Sequence, residues 1–284
     1  MLRIAAVVIL YNPTDDVINN IRTYYSQVEE LYIVDNSPHL NKTIKQFCDL
    51  HINMFYFPQY ENMGVSRGLN IGTKMALQKG FDYILTMDQD SKAPINLVSG
   101  LIELVSEFKD IAIITPLHSN KYNTHLLNID AKKIDKVTTA MTSGNLLCLN
   151  AFKETGNFLE KLFIDYVDIE YCLRLKQKNF SIYRVNNIVL EHIEGNLSQK
   201  KIFSKTFYPI NNHPVRIYYK TRNLLYIIKK YRKIEPIQIR EEINVYLRNI
   251  LKMLIFENQK FAKIKMVFLG TLDYFRNNMG RKQD

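Results

Sequence analysis

Apolar and polar positions in the first third of the chain alternate between two rhythms. Residues 3–10 (Arg-Ile-Ala-Ala-Val-Val-Ile-Leu) are apolar almost without a break, the pattern of a strand covered on both faces, as in a parallel sheet. Tyr11-Asn12-Pro13 ends the run. Thr14 or Asp15 can then cap a helix reaching about residue 27, with Val17, Ile18 and Ile21 on its inner face. A second strand over 31–34 stops at Asp35-Asn36-Ser37-Pro38. A short helix near 42–50 and a third strand over 53–57 follow. Asn62-Met63-Gly64 reads as a turn, 65–79 as a helix closed by Gly80, and 83–90 as a fourth strand. This β-α-β-α-β-α-β order predicts an α/β fold, a mostly parallel sheet flanked by helices with right-handed crossovers.

The second half reads differently. Asp165, Asp168 and Glu170 precede a helix over about 171–178, where acidic residues favour a helix N-terminus. From about residue 214 the period turns helical, with Ile217, Tyr218, Leu224, Leu225, Ile227 and Ile228 among many lysines and arginines. Pro236 separates this helix from one ending near 256, with Ile243, Leu247, Ile250, Leu251 and Leu254 on one face, and a third spans about 262–276. The expected organisation is an α/β domain over 1–213, in halves 1–95 and 96–213, followed by a basic helical extension over 214–284.

Charge sharpens that division. Residues 201–284 hold 18 Lys and Arg against 6 Asp and Glu, whereas residues 1–200 are nearly balanced. Basic amphipathic helices carrying Tyr and Phe suit an anionic membrane surface. No nucleic-acid recognition motif accompanies them. No apolar run approaches the ~18–20 residues that span a bilayer, and the apolar start is read as a strand, not a signal peptide. The three cysteines, Cys48, Cys148 and Cys172, form neither a disulfide framework nor a zinc pattern, which suits a reducing cytoplasm.

The chemistry-bearing residues cluster at strand ends, where open α/β sheets bind ligands. Asp88 and Asp90 end the fourth strand, and two hard carboxylate ligands can hold Mg²⁺ or Mn²⁺ on substrate phosphates. A carboxylate at Asp35 can accept the N3–H of uracil or thymine. Asn62-x-Gly64 lets backbone approach closely before a helix whose N-terminus favours anions. This is the layout of a pyrimidine nucleoside-diphosphate site. The Gly-x-Gly-x-x-Gly fingerprint and the Gly-x-x-x-x-Gly-Lys-Ser/Thr loop are both absent, which disfavours NAD and P-loop chemistry.

An ordered set of motifs then makes a resemblance specific. It comprises Val-Val-Ile-Leu-Tyr11-Asn12, Val-Asp35-Asn-Ser, Asn62-Met-Gly64-Val-Ser66-Arg-Gly-Leu-Asn70-Ile-Gly72, Met-Asp88-Gln-Asp90-Ser and Thr-Ser143-Gly144-Asn. Phe-Ile-Asp165-Tyr-Val-Asp168-Ile-Glu170-Tyr-Cys-Leu-Arg174, Glu-His192-Ile-Glu-Gly195 and Arg216-Ile-Tyr-Tyr-Lys-Thr-Arg222-Asn223 complete it. Over roughly residues 3–225 the chain resembles family 2 glycosyltransferases of the GT-A fold, with a Rossmann-like nucleotide-binding half, and most of all their rhamnosyltransferase branch.

The resemblance implies a metal-dependent inverting transfer, with L-rhamnose moving from TDP-rhamnose to a glycan or lipid-linked acceptor in surface polysaccharide synthesis. The protein would act in the cytoplasm, peripheral on the inner face of the membrane. Asp35, Tyr11 and Asn12 would hold the base. Asn62, Gly64 and Ser66 would line the ribose and phosphate side. Asp88 would bind ribose and metal, with Asp90 and His192 as further ligands of a divalent cation. Asp168 would be the general base, Glu170 would bind acceptor hydroxyls, and Ser143 and Gly144 would shape the acceptor wall. The family usually shows two acids where Val167-Asp168 stands here, and Asp165 is the nearest substitute. Arg174 is read as structural. The alternatives are a UDP-hexose or UDP-galactofuranose transferase of the same fold, a nucleotidyltransferase, or a non-catalytic nucleotide-sugar-binding relative.

Overall fold

The computed structural model describes residues 2–105, 107–119, 134–192, 198–202 and 205–283. The chain divides into two compact units, Met1–Glu160 with Tyr171–Ile193, and Lys161–Glu170 with Glu194–Asp284.

The first unit is built on one nine-stranded mixed sheet. Its elements are β1 (Ile4–Leu10), α1 (Val17–Arg22), β2 (Glu30–Asp35), α2 (Lys42–Asp49), β3 (Met54–Pro58), α3 (Val65–Gln78), β4 (Tyr83–Asp88) and β5 (Ser91–Lys92). After them come α4 (Leu97–Ile102), β6 (Ile111–Ser119), β7 (Ile134–Val137), β8 (Asn145–Cys148), α5 (Leu149–Thr155), and, after the start of α6 (Val167–Gln177), β9 (Ser181–His192). The spatial order is β3-β2-β1-β4-β8-β6-β9-β5, with β7 on β9. The half predicted as parallel is parallel, β3 to β4 through β2 and β1. Beyond β4 the sheet turns antiparallel at β8 and returns to a parallel pair between β6 and β9.

Two predicted elements are shorter than their sequence pattern. The first helix ends at Arg22 and resumes as a 3₁₀ turn at Tyr25–Gln27. The fourth strand ends at Asp88, so the second carboxylate lies in the turn before β5. α6, by contrast, begins earlier than expected and takes Asp168 and Glu170 into its first turn.

β1 is buried at every position, which is why its sequence shows no alternation. α3 lies close against it through two glycines. A Cβ at Gly72 would stand 2.3 Å from Val7 Cγ2, and one at Gly68 would stand 2.8 Å from Ile9 Cδ1. Asn70, on the same helix, donates from Nδ2 to Phe158 O at 3.0 Å and accepts from Phe158 N at 2.9 Å. Arg174 donates to Thr155 O and Asn157 O, the structural part expected of it.

The second unit holds the hairpin β10 (Lys200–Ile202) and β11 (Lys205–Phe207) and the helices α7 (Pro214–Tyr231), α8 (Pro236–Phe256) and α9 (Lys260–Phe275). α7 starts with Pro214 at its first position, where a missing N–H costs nothing, and His213 caps it by accepting from Val215 N. α9 approaches α7 at Gly270, where a Cβ would meet Tyr218 O at 2.6 Å. A buried Lys263–Glu257 ion pair at 2.6 Å fixes the link between α8 and α9.

Candidate active site

The strand register brings the acidic ends to one edge. β1 pairs with β2 and β4 on its two sides, with Leu10 opposite Asp35 and Ile9 opposite Asp88. Asp35 and Asp88 therefore flank the end of β1 two strand spacings apart, about 10 Å.

Asp35 sits in a pocket of donors. Its Oδ1 accepts from Ser37 N at 2.9 Å and from Ser37 Oγ, and its Oδ2 accepts from Tyr56 O–H. A carboxylate offers about four acceptor sites, so one is left for a ligand N–H. The side chain is buried, and burial, followed by the hydrogen bond to Asp35, pushes the Tyr56 phenol well above its usual range. Ser37 Oγ also receives Asn12 N at 2.8 Å, which joins the loop after β1 to the loop after β2. Asn12 takes a left-handed φ of 44°, a conformation Asn accepts readily. Tyr11 is exposed beside it.

Gln89, between the two aspartates, grips Tyr11. Its Oε1 accepts Tyr11 N at 2.8 Å and its Nε2 donates to Tyr11 O at 3.4 Å, while its own carbonyl accepts Asn20 Nδ2 at 2.8 Å. Ser143 supports the same turn from β8's leading loop. Its Oγ accepts Asp88 N at 3.1 Å and donates to Ser91 Oγ at 2.8 Å, and both serines are fully buried. Gly144 has φ 80° and donates to Thr86 O at 2.7 Å; a Cβ there would meet Leu190 Cδ2 at 2.8 Å. Ser143 and Gly144 thus hold the Asp88–Asp90 turn. Tyr24 adds a buried phenol next to Asp88; burial first, then the Asp88 charge, keeps it protonated.

Asn62, Gly64 and Ser66 form the entry to α3. Asn62 Oδ1 accepts Gly64 N at 3.0 Å, and Gly64 caps the helix at φ 83°. Asn36 Nδ2 reaches Gly64 O at 3.1 Å, tying this entry to the Asp35 loop. Ser66 is fully buried, and its hydroxyl has no hydrogen-bond partner among the described residues.

The donor set fits a divalent cation in chemistry. β5 pairs antiparallel with the end of β9, Ser91 opposite His192, so the backbone of His192 runs alongside the Asp88–Asp90 turn. Two carboxylates suit Mg²⁺ or Mn²⁺. The His192 side chain and Gly195 lie outside the described residues, and among the described residues no three His, Cys, Asp or Glu side chains are placed to hold a metal ion.

The remaining acids belong to the second unit. Asp168 is partly buried in the first turn of α6, with Oδ1 accepting Ile169 N at 2.8 Å. Its carboxyl is pushed up to about 6, chiefly by burial and further by the Asp165 charge, while the Ile169 N–H and Arg216 oppose the rise. Asp165 pairs with Arg216 at 2.6 Å. Glu242 of α8 feels the Asp168 charge as well; burial raises its carboxyl, and Gln238 Nε2 at 2.9 Å restrains it. Glu170 is completely buried, ion-paired with Lys230 Nζ at 2.8 Å and bonded by Tyr231 O–H at 2.8 Å. A carboxylate so enclosed anchors α7.

A profile described as Glycosyl transferase family 2 matches residues 6–158, more than half of the chain. The chain belongs to this family. Among relatives of this glycosyltransferase, the dTDP-rhamnosyl transferase RfbF of Shigella flexneri is 27% identical over 98% of the chain and 97% of its own length. The low-salt glycan biosynthesis hexosyltransferase Agl10 of Haloferax volcanii is 22% identical over 64% of each protein. Solved structures share the fold. TarS 1–349 of S. aureus with UDP-GlcNAc has TM-score 0.59 at 10% identity, covering 97% of this chain and 81% of that one. GalNAc-T7 with UDP, GalNAc and Mn²⁺ has TM-score 0.61 at 12% identity, and the present glycosyltransferase spans 56% of its length. The GT-A character expected from the motifs therefore holds.

Residues that sequence reasoning missed are the supporting ones. Tyr56 and Glu242 lie in no motif, whereas Ser37, Gln89 and Ser91 stand inside Val-Asp35-Asn-Ser and Met-Asp88-Gln-Asp90-Ser and could have been suspected from that place.

Proposed function

We propose that this glycosyltransferase moves L-rhamnose, with inversion, from a TDP-sugar to a glycan or lipid-linked acceptor during surface polysaccharide synthesis. The observation that carries the donor reading is the pairing register: Asp35 and the Asp88–Asp90 turn stand at the same edge on either side of β1. A pyrimidine fits the remaining acceptor site of Asp35, and its diphosphate would reach toward Asp88 and Asp90. The N-terminus of α3, where Ser66 stands, favours an anion. A divalent cation bound by Asp88, Asp90 and His192 would supply charge neutralisation for the leaving diphosphate. The relationship to a dTDP-rhamnosyl transferase supports the choice of sugar.

Asp168 is the proton acceptor of the reading. With its carboxyl near 6 it is ionised at neutral pH yet basic enough to take a proton from an acceptor hydroxyl. A single base suffices, because direct displacement at the anomeric carbon needs no carboxylate nucleophile.

The acceptor side of the reading places the protein on an anionic membrane. Exposed Phe261, Ile264, Phe268 and Phe275 form one stripe along α9, at helical spacing. Exposed Lys260, Lys265 and Arg276 border it, as basic residues border the apolar face of interfacial helices. α8 carries exposed Ile237, Leu247, Leu251, Leu254 and Ile255. Among the described residues no helix is long and apolar enough to cross a membrane, so the reading is attachment to one face.

Thermal shift with TDP-rhamnose, UDP-glucose, UDP-galactose, UDP-galactofuranose and GDP-mannose, each with and without Mn²⁺, tests the donor. The expected result is a Mn²⁺-dependent shift, largest with TDP-rhamnose. A larger shift with a UDP-sugar would replace rhamnose, and no shift with any pyrimidine nucleotide sugar would overturn the site.

A further inference from the structure

Three of the four residues from Phe163 to Tyr166 have left-handed backbones, with φ of 66° at Phe163, 62° at Asp165 and 64° at Tyr166. None is glycine. Each such residue costs on the order of 1–3 kcal/mol and persists only where surrounding contacts impose it. Met266 and Leu269 of α9 pack on the cluster that holds Phe163, and Gly280 N donates to Lys161 O at 2.6 Å, but most of the polar contacts come from α7. Asn223 of α7, fully buried, turns its side-chain amide on this loop: Nδ2 lies 2.8 Å from Leu162 O, 2.9 Å from Ile164 O and 3.0 Å from Asp165 O. Arg222, also fully buried, reaches Lys161 O at 3.4 Å and is itself held by Gly280 O at 2.8 Å. Arg216 pairs with Asp165, and Tyr219 stacks on Phe163 with ring centroids 5.0 Å apart. Positions 216, 219 and 223 recur at helical spacing, so one face of α7 grips the loop along its length.

The strained loop ends two residues before Asp168, at the start of α6. A loop of this length could have been closed without three left-handed side-chain-bearing residues, and burying a guanidinium is costly unless its hydrogen bonds are met. Both costs fall next to the one acid assigned to chemistry.

We infer that Asn223 and Arg222 are positioning residues: by clasping the carbonyls of residues 161–165 they fix the left-handed loop and so set the Asp168 carboxyl for proton abstraction. The inference rests on the reading of Asp168 as the base. It explains why the Arg222-Asn223 pair lies some 55 residues beyond the acid it serves, in a helix that contributes no reacting group.

The test uses the full chain and the Asn223→Ala variant, with Asn223→Ser, which keeps one donor, as a milder second. The first readout is the ¹³C carboxyl titration of Asp168, assigned by its disappearance in Asp168→Asn, which needs no substrate. The second is TDP release from TDP-rhamnose with a lipid extract of the source cells as acceptor, measured well below each variant's melting temperature. In Asn223→Ala the Asp168 titration should move by about 0.5 or more on the pH scale, and TDP release should fall about 30-fold. The affinity for TDP-rhamnose should stay within about twofold, because the donor residues belong to the other unit. If Asn223→Ala does not fold, Asn223→Ser is judged by the same readouts. An unmoved titration with TDP release within about threefold of the parent would overturn the clasp. If Asp168→Asn itself retains TDP release, the base reading fails instead, and the two failures are distinguishable.

Discussion

Replacing Asp168 by Asn should stabilise the protein while disabling it. The carboxyl is moved from 3.8 to about 6 in the folded chain, mainly because burial disfavours its charge. Each tenfold change in proton affinity is worth about 1.4 kcal/mol, so the ionised group destabilises the native state by at most about 3 kcal/mol. Water reaching a partly exposed carboxyl reduces this, and about 1–2 kcal/mol is the working figure. The sign follows from linkage. Between about pH 4 and pH 6 the native state binds more protons than the unfolded one, so stability falls as pH rises, and above pH 6 the full penalty is present. Asparagine carries no charge and escapes it. Denaturant unfolding of both proteins should therefore show Asp168→Asn more stable at pH 7.5, with the difference shrinking toward zero at pH 4. Sugar transfer at pH 7.5 should fall about 10²-fold or more, and the parent's rate should decline below about pH 6 as the base protonates. A variant with parental transfer rate, or one no more stable at pH 7.5 than at pH 4, would refute the reasoning at its two separate points.

Three further outcomes follow from packing and charge. Gly72→Ala should destabilise by about 2 kcal/mol, since crowding against Val7 outweighs the ~1 kcal/mol that alanine gains in a helix; adding Val7→Ala should restore part of it, and an unchanged unfolding midpoint would show that α3 can shift. Lys230→Met leaves Glu170 buried without the Lys230 ion pair and should cost roughly 3 kcal/mol, read by urea unfolding, whereas a neutral effect would mean that its other contacts, Tyr231 among them, satisfy the carboxylate. Phe261→Glu with Phe268→Glu should reduce co-sedimentation with anionic vesicles by more than about tenfold, each phenylalanine being worth roughly 2 kcal/mol when buried. Undiminished binding would move the membrane contact off α9.

Much of the donor half was legible in the chain. An unbroken apolar run such as residues 4–10 can be buried on both faces in few ways, so the parallel strands and the acids that end them followed from local pattern. The motifs around Asp35, Asn62 and Asp88 are each contained in a few residues, and strand register then brings Asp35 and Asp88 to the same end of the sheet, one residue out of step along β1. The antiparallel join at β8 had no comparable signal, because Leu146 and Leu147 are apolar whichever neighbour they meet.

What the tertiary structure decided was which partner each polar group takes. Glu170 stands in the acidic motif, and Lys230 and Tyr231, some sixty residues on, enclose it. Ser143 holds Asp88 through a backbone N–H more than fifty residues away. Residues 161–170 read as part of the α/β domain, yet they pack with the C-terminal helices, where Asn223 can reach their carbonyls. Hydrophobic period is a property of neighbours in sequence and survives in any window of ten residues. Burial and hydrogen bonding of a carboxylate depend on side chains delivered from elsewhere by folding, and no local window contains them.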